Sequence, residues 1–193
     1  AGRITSVFST KGGLGVTTLA TNLAVCLAER SSDGTVLIDL DTRQSDVATF
    51  LNLRYTYSVL DALESLERLD DSLLQGLLVK HASGLFVLPG PNRVERTHLS
   101  AERVQTVLEI IRAHFGHVIL DLRHDFDPGT IAALEASDTI LYLTSLTVSA
   151  LRSGSAGLAA LRHLGINMQR VKLVVMRDGT GEDVTLKHAQ EAL

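Results

Sequence analysis

The stretch Ile4-Thr5-Ser6-Val7-Phe8-Ser9-Thr10-Lys11-Gly12-Gly13-Leu14-Gly15-Val16-Thr17-Thr18 decides the fold. Residues 4–9 form an apolar run that reads as a buried strand. A helical pattern continues from Leu19 to Arg30. A strand, a glycine-rich turn and a helix N-terminus together make a cradle for phosphate. Backbone N–H groups converge on the anion, and the helix dipole adds partial positive charge. The cradle is expected to use Lys11, Gly12, Gly13, Leu14, Gly15, Val16, Thr17 and Thr18. The competing reading is a tight strand-to-helix turn that holds no ligand.

Working outward, further apolar runs fall near residues 36–39, 85–88, 118–121, 140–144 and 171–176. They are rich in Val, Ile and Leu and lack clean alternation, as strands covered on both faces do. Helical patterns separate them: Val16–Arg30, Ser58–Leu66, Asp71–Lys80, Ser100–Phe115, Pro128–Ala136, Thr147–Leu164 and Thr185–Leu193. Ser100 is expected to cap its helix, Pro128 to take a first helical position, and Gly165 to close the helix ending at Leu164. The expected fold is α/β, a doubly wound and mostly parallel sheet with helices on both faces. Ligands then lie beyond the carboxyl ends of the strands. Lys11, Asp41 and Asp121 each follow a strand and should converge there.

The P-loop pattern G-x-x-x-x-G-K-[ST] places Lys between its last Gly and the hydroxyl residue. Here Val16 holds that place and Thr10 stands for the first Gly. The run Lys11-Gly12-Gly13-x-Gly15-x-Thr17-Thr18 resembles instead the deviant Walker A loop of the MinD/ParA family. It is closest to the pilus-positioning CpaE/TadZ branch, which often lacks the ordinary lysine. The resemblance continues through Val36-Leu37-Ile38-Asp39-Leu40-Asp41, Ser45 to Leu51, Gly84 to Pro91 and His117-Val118-Ile119-Leu120-Asp121. It implies ATP or ADP with Mg2+ as ligands and a homodimer in which Lys11 reaches the partner's phosphates. It further implies that Asp41 orients the attacking water, and that Thr17, Asp39 and Asp121 sit on the magnesium side. A preceding receiver-like domain and polar or septal protein partners are also implied.

Three positions depart from the family. Val16 replaces the P-loop lysine. Leu122, Arg123 and His124 stand where prolines commonly follow the Walker B aspartate. Met176 ends a strand that usually closes on a base-reading Asn. Hydrolysis is therefore expected to be weak at most. Two alternatives stay open: an active ATPase using Asp41 with Arg43 or Arg123 in place of the lysine, and a scaffold that dimerises without nucleotide. Thr17 has a competing role as a helix cap, and the carboxylates as solvated strand ends. His124 beside Asp125 and Asp127 does not form a recognisable metal-ligand spacing.

The composition is that of an ordinary globular domain: 193 residues, 45% hydrophobic and 21% charged. The net charge of −4 argues against wholesale coating of nucleic acid. Of only four lysines, one lies in the phosphate loop, which makes its placement there informative. The single cysteine, Cys26, excludes an internal disulfide and suits a reducing cytoplasm. The chain starts at Ala1 and stops inside a helical pattern, so it reads as a domain excised from a longer protein; polar or membrane placement would come through partners.

Overall fold

The computed structural model describes residues 1–68, 70–93, 98–176, 184–185, 187 and 189–190. Its centre is a seven-stranded sheet of order β3-β4-β2-β5-β1-β6-β7. The strands are β1 (Arg3–Phe8), β2 (Thr35–Asp39), β3 (Val79–Lys80), β4 (Phe86–Leu88), β5 (His117–Asp121), β6 (Thr139–Ser145) and β7 (Val171–Met176). All neighbours pair in parallel except β3, which runs antiparallel to β4. The helices are α1 (Val16–Arg30), α2 (Val47–Phe50), α3 (Val59–Glu64), α4 (Asp71–Leu77), α5 (Ala101–His114), α6 (Pro128–Ala136) and α7 (Val148–His163).

Alternate residues of the central strands feed two cores. Ile4, Phe8, Val36, Ile38, Val118, Leu120 and Ile140 pack with α3, α5 and α6 on one face. Val7, Leu37, Ile119 and Leu143 pack with Ala20 and Ala24 of α1 and Val47 of α2 on the other. Strands covered on both sides have no polar face to alternate with, which is why their sequence runs are continuously apolar. The expected doubly wound architecture is the one observed.

Local signals also hold. Ser100 accepts from the Arg103 N–H, and Pro128 opens α6 behind the Asp127 cap. Gly165 takes φ +79° beyond α7, and its N–H bonds the Arg162 carbonyl at 3.1 Å. One element departs from expectation. The helix expected over Asp71–Lys80 stops at Leu77, and Val79–Lys80 joins the sheet edge instead. The Lys80 ammonium lies 5.3 Å from the Phe86 ring centre, and the His81–Gly84 turn folds the chain back onto β4. Cross-strand pairing thus overrides helical periodicity at those two residues. Cys26 is half-buried on α1. Most of the helix expected over Thr185–Leu193, and Leu69, lie outside the described residues. Among the described residues no helix is long and apolar enough to cross a membrane.

Candidate functional site

The loop between β1 and α1 is fastened from beneath. The Ser9 hydroxyl donates to the Leu143 carbonyl at 3.0 Å and accepts from the Lys11 N–H at 3.2 Å. The Thr10 hydroxyl is hydrogen-bonded with the Tyr142 hydroxyl at 2.6 Å and donates to the Ser153 carbonyl at 3.0 Å. Leu14 sinks its side chain into the α1-side core. The loop therefore hangs from β6, α7 and the core, while its glycines stay at the surface. Gly13 and Gly15 adopt φ +78° and +89°, a left-handed region where a Cβ is strained.

Gly15 is also the N-cap of α1, and no side chain caps that helix. The other long helices α5, α6 and α7 are capped by Ser100, Asp127 and Thr147. The first N–H groups of α1 thus lack the partner that their counterparts have, at the end where the helix dipole favours an anion. A cavity of about 370 Å³ opens over them. Lys11, Gly12, Gly13, Gly15, Val16, Thr17 and Thr18 form one side; Asp41 and Asp121 contribute from the ends of β2 and β5. The structure therefore brings together the loop and two of the three expected carboxylates.

Asp39 is placed differently. It is fully buried below the cavity, where its carboxylate accepts from the Ser45 hydroxyl at 2.9 Å and the Asp41 N–H at 3.0 Å. Asp39 and Asp121 face each other in register across β2 and β5. Burial pushes the Asp39 carboxyl up to about 7, and hydrogen bonds from Ser45 and the Asp41 and Val47 N–H groups only partly offset it. Burial also raises Asp121 well above the usual range; the Asp39 charge adds to this, and a hydrogen bond from Thr17 opposes it. Two buried carboxylates side by side fit a nearby divalent cation, which would relieve both. Thr17 and Asp121 are oxygen donors of the kind Mg2+ takes. Among the described residues no three His, Cys, Asp or Glu cluster into a self-sufficient metal site, so phosphate oxygens and water would have to complete the shell.

Lys11 turns out of its own loop. Its ammonium donates to the Ser149 hydroxyl at 2.7 Å, in the first turn of α7. Asp41 is half-buried and accepts from the Arg43 and Gln44 N–H groups, both at 3.0 Å, which fixes its carboxylate at the cavity rim. Neither candidate arginine lines the cavity. Arg43 is exposed and faces a neighbouring groove. Arg123 is 4% exposed and ion-paired with Asp125 and Asp127. An arginine replacing the missing lysine is therefore not what this arrangement offers. Val16 is half-buried against the α1-side core, and Met176 places its methyl near Gly15.

Sequence reasoning missed other wall residues: Gln44, Asp46, Phe50 and Leu122. Phe50 is 54% exposed, a large apolar ring left open beside the glycine-rich loop. Its place in the segment after Asp41 was the available signal.

A family model described as an AAA domain matches residues 2–170. The septum site-determining protein MinD of Synechocystis sp. is 29% identical over 177 residues, covering 91% of this chain and 64% of that protein. The chain thus spans under two thirds of the length of that relative. Two solved structures superpose on the whole chain, a likeness of fold. A ParA family ATPase from Chlorobium tepidum gives a TM-score of 0.92 at 22% identity over 81% of its chain. MinD from Pyrococcus horikoshii, complexed with Mg-ADP, gives 0.81 at 20% identity over 78% of its chain. With the AAA-domain match over nearly its whole length and the glycine-rich loop and strand-end carboxylates in place, the chain belongs to the MinD/ParA family.

Proposed function

We propose that the chain is a nucleotide-responsive positioning protein that acts by dimerising, in pilus-assembly or secretion-system placement as in the CpaE/TadZ branch, or in septum-site placement. The observation that carries this reading is the single cavity shared by the uncapped start of α1, Thr17, Asp41 and Asp121. Its N–H groups and dipole suit the phosphates of ATP or ADP. Thr17 and Asp121 would hold Mg2+, which supplies charge neutralisation when bound; Asp39 would act from beneath by sharing the charge of Asp121. Asp41, fixed by two backbone N–H groups, would orient water.

Lys11 already points away from its own cradle toward α7, the geometry that reaching a second subunit requires. Without a lysine at Val16, and with Arg123 ion-paired to Asp125 and Asp127 and Arg43 lining a neighbouring groove, charge developing on a transferred phosphoryl group is weakly stabilised. Nucleotide then serves as the link between subunits, and hydrolysis is slow. The relatives' role in septum-site determination supports recruitment of protein partners by such a dimer.

Calorimetry of ATP with magnesium tests the reading. A lysine contact to phosphate contributes roughly 1.5–3 kcal/mol, so Val16→Lys should tighten binding by about one to two decades. A protein that binds ATP with an affinity indifferent to Val16→Lys is not using this cradle.

A further inference from the structure

The loop after Asp121 is pinned on both sides of one residue. Leu122 and Arg123 are 3% and 4% exposed. The Arg123 guanidinium is ion-paired with Asp125 and lies 3.4 Å from the Asp127 carboxylate. Asp127 in turn caps α6 through the Thr130 N–H at 2.8 Å. The Phe126 ring packs on Phe8, with centres 5.4 Å apart. His124 lies between these anchors. It is exposed, makes no hydrogen bond or ion pair with another described residue, and faces the same cavity as Lys11, Gly12 and Gly13.

The charge around the cavity gives that position meaning. Its wall carries Asp41, Asp46 and Asp121, and the basic residues along it are Lys11 and His124. Lys11 is engaged with Ser149. Of the two basic residues along the wall, the one whose side chain makes no bond to another described residue is therefore His124. A neutral imidazole has one N–H to give, and a protonated one has two and a positive charge.

We infer that His124 is a phosphate-binding residue of this cavity, donating to the bound nucleotide opposite the glycine loop, and that the Arg123–Asp125–Asp127 ion pairs position it there. This rests on the nucleotide reading above. It gives the departure from the family's prolines a purpose: a loop rigid enough to aim a side chain, built from ion pairs. It also places the compensation for Val16 on a different strand end from the lost lysine.

Calorimetry of the whole chain with ATP and magnesium tests it. His124 is exposed, so its substitutions should leave the fold intact. His124→Ala is expected to weaken binding by roughly tenfold or somewhat more, the lower end for a hydrogen bond to a charged group. His124→Lys, which restores a cation, should bind at least as tightly as the native chain. Arg123→Lys keeps the charge but loses the planar fork; it should weaken binding when His124 is present and have no effect in the His124→Ala background. An affinity unchanged by His124→Ala, or equal losses for His124→Ala and His124→Lys, overturns the inference alone. If neither the native chain nor Val16→Lys binds ATP, the nucleotide reading itself is refuted and the inference goes with it.

Discussion

The paired carboxylates beneath the cavity make stability depend on pH in an unusual direction. Asp39 is fully buried and in register with Asp121 across β2 and β5. Its carboxyl is held at about 7, against an ordinary 3.8, chiefly by burial. Between those values the folded chain keeps a proton that the unfolded chain has released. Stability therefore falls as pH rises from about 4 to about 7, and the loss is complete above 7. A displacement of that size corresponds to at most about 4 kcal/mol. Asp121, raised by burial and by the Asp39 charge, steepens the same decline. Asp39→Asn removes one of the two charges at the cost of a hydrogen bond, because its amide group cannot accept from both Ser45 and the Asp41 N–H; that cost is about 1 kcal/mol at every pH. The variant should be slightly less stable than the native chain at pH 5 and more stable by about 1–3 kcal/mol at pH 8. Urea unfolding without divalent ions, at steps from pH 5 to 8, measures both curves. Parallel curves, or native stability that climbs over this range, would show that burial does not hold a proton on Asp39.

Other outcomes follow from the same geometry. Asp41→Ala should abolish whatever slow ATP turnover the chain has while leaving its circular dichroism unchanged; turnover that survives the substitution removes Asp41 from the mechanism. Gly157 packs against the Tyr142 hydroxyl and Thr10, the pair that suspends the glycine-rich loop. Gly157→Ala should therefore cost about 1–3 kcal/mol in denaturant unfolding through overpacking, and an unchanged midpoint would show that the contact yields freely.

Much of the fold was legible because its signals are local and repeated. The apolar runs that became β1, β2, β4, β5 and β6 lack clean polar alternation, since both faces are covered, while β7 at the sheet edge is only partly covered and leaves Leu173 exposed. Ser100, Pro128 and Gly165 announced their helix ends through short-range chemistry. The two-residue strand Val79–Lys80 did not, because its pairing with β4 is a tertiary preference stronger than the local helical pattern. That the glycine-rich loop and Asp41 would meet at one cavity followed from strand-end placement. The depth of Asp39 did not, as alternation along β2 says which face a residue takes and not how much chain lies above it. The opposite fates of Arg123 and His124 were also beyond reach. They depend on carboxylates two and four residues past Arg123 turning back to meet it. The contact of Lys11 with Ser149 joins residues far apart in the chain and leaves no local trace.

In the proposed function, nucleotide links two copies of this chain through Lys11. Sedimentation velocity of the native chain and of Lys11→Ala, each with and without ATP and magnesium, tests it most directly. The native chain should shift from monomer to dimer when nucleotide is added, and the Lys11→Ala variant should unfold at the same denaturant concentration but stay largely monomeric. A native chain that remains monomeric with nucleotide at high concentration, or a dimer indifferent to Lys11→Ala, would contradict it.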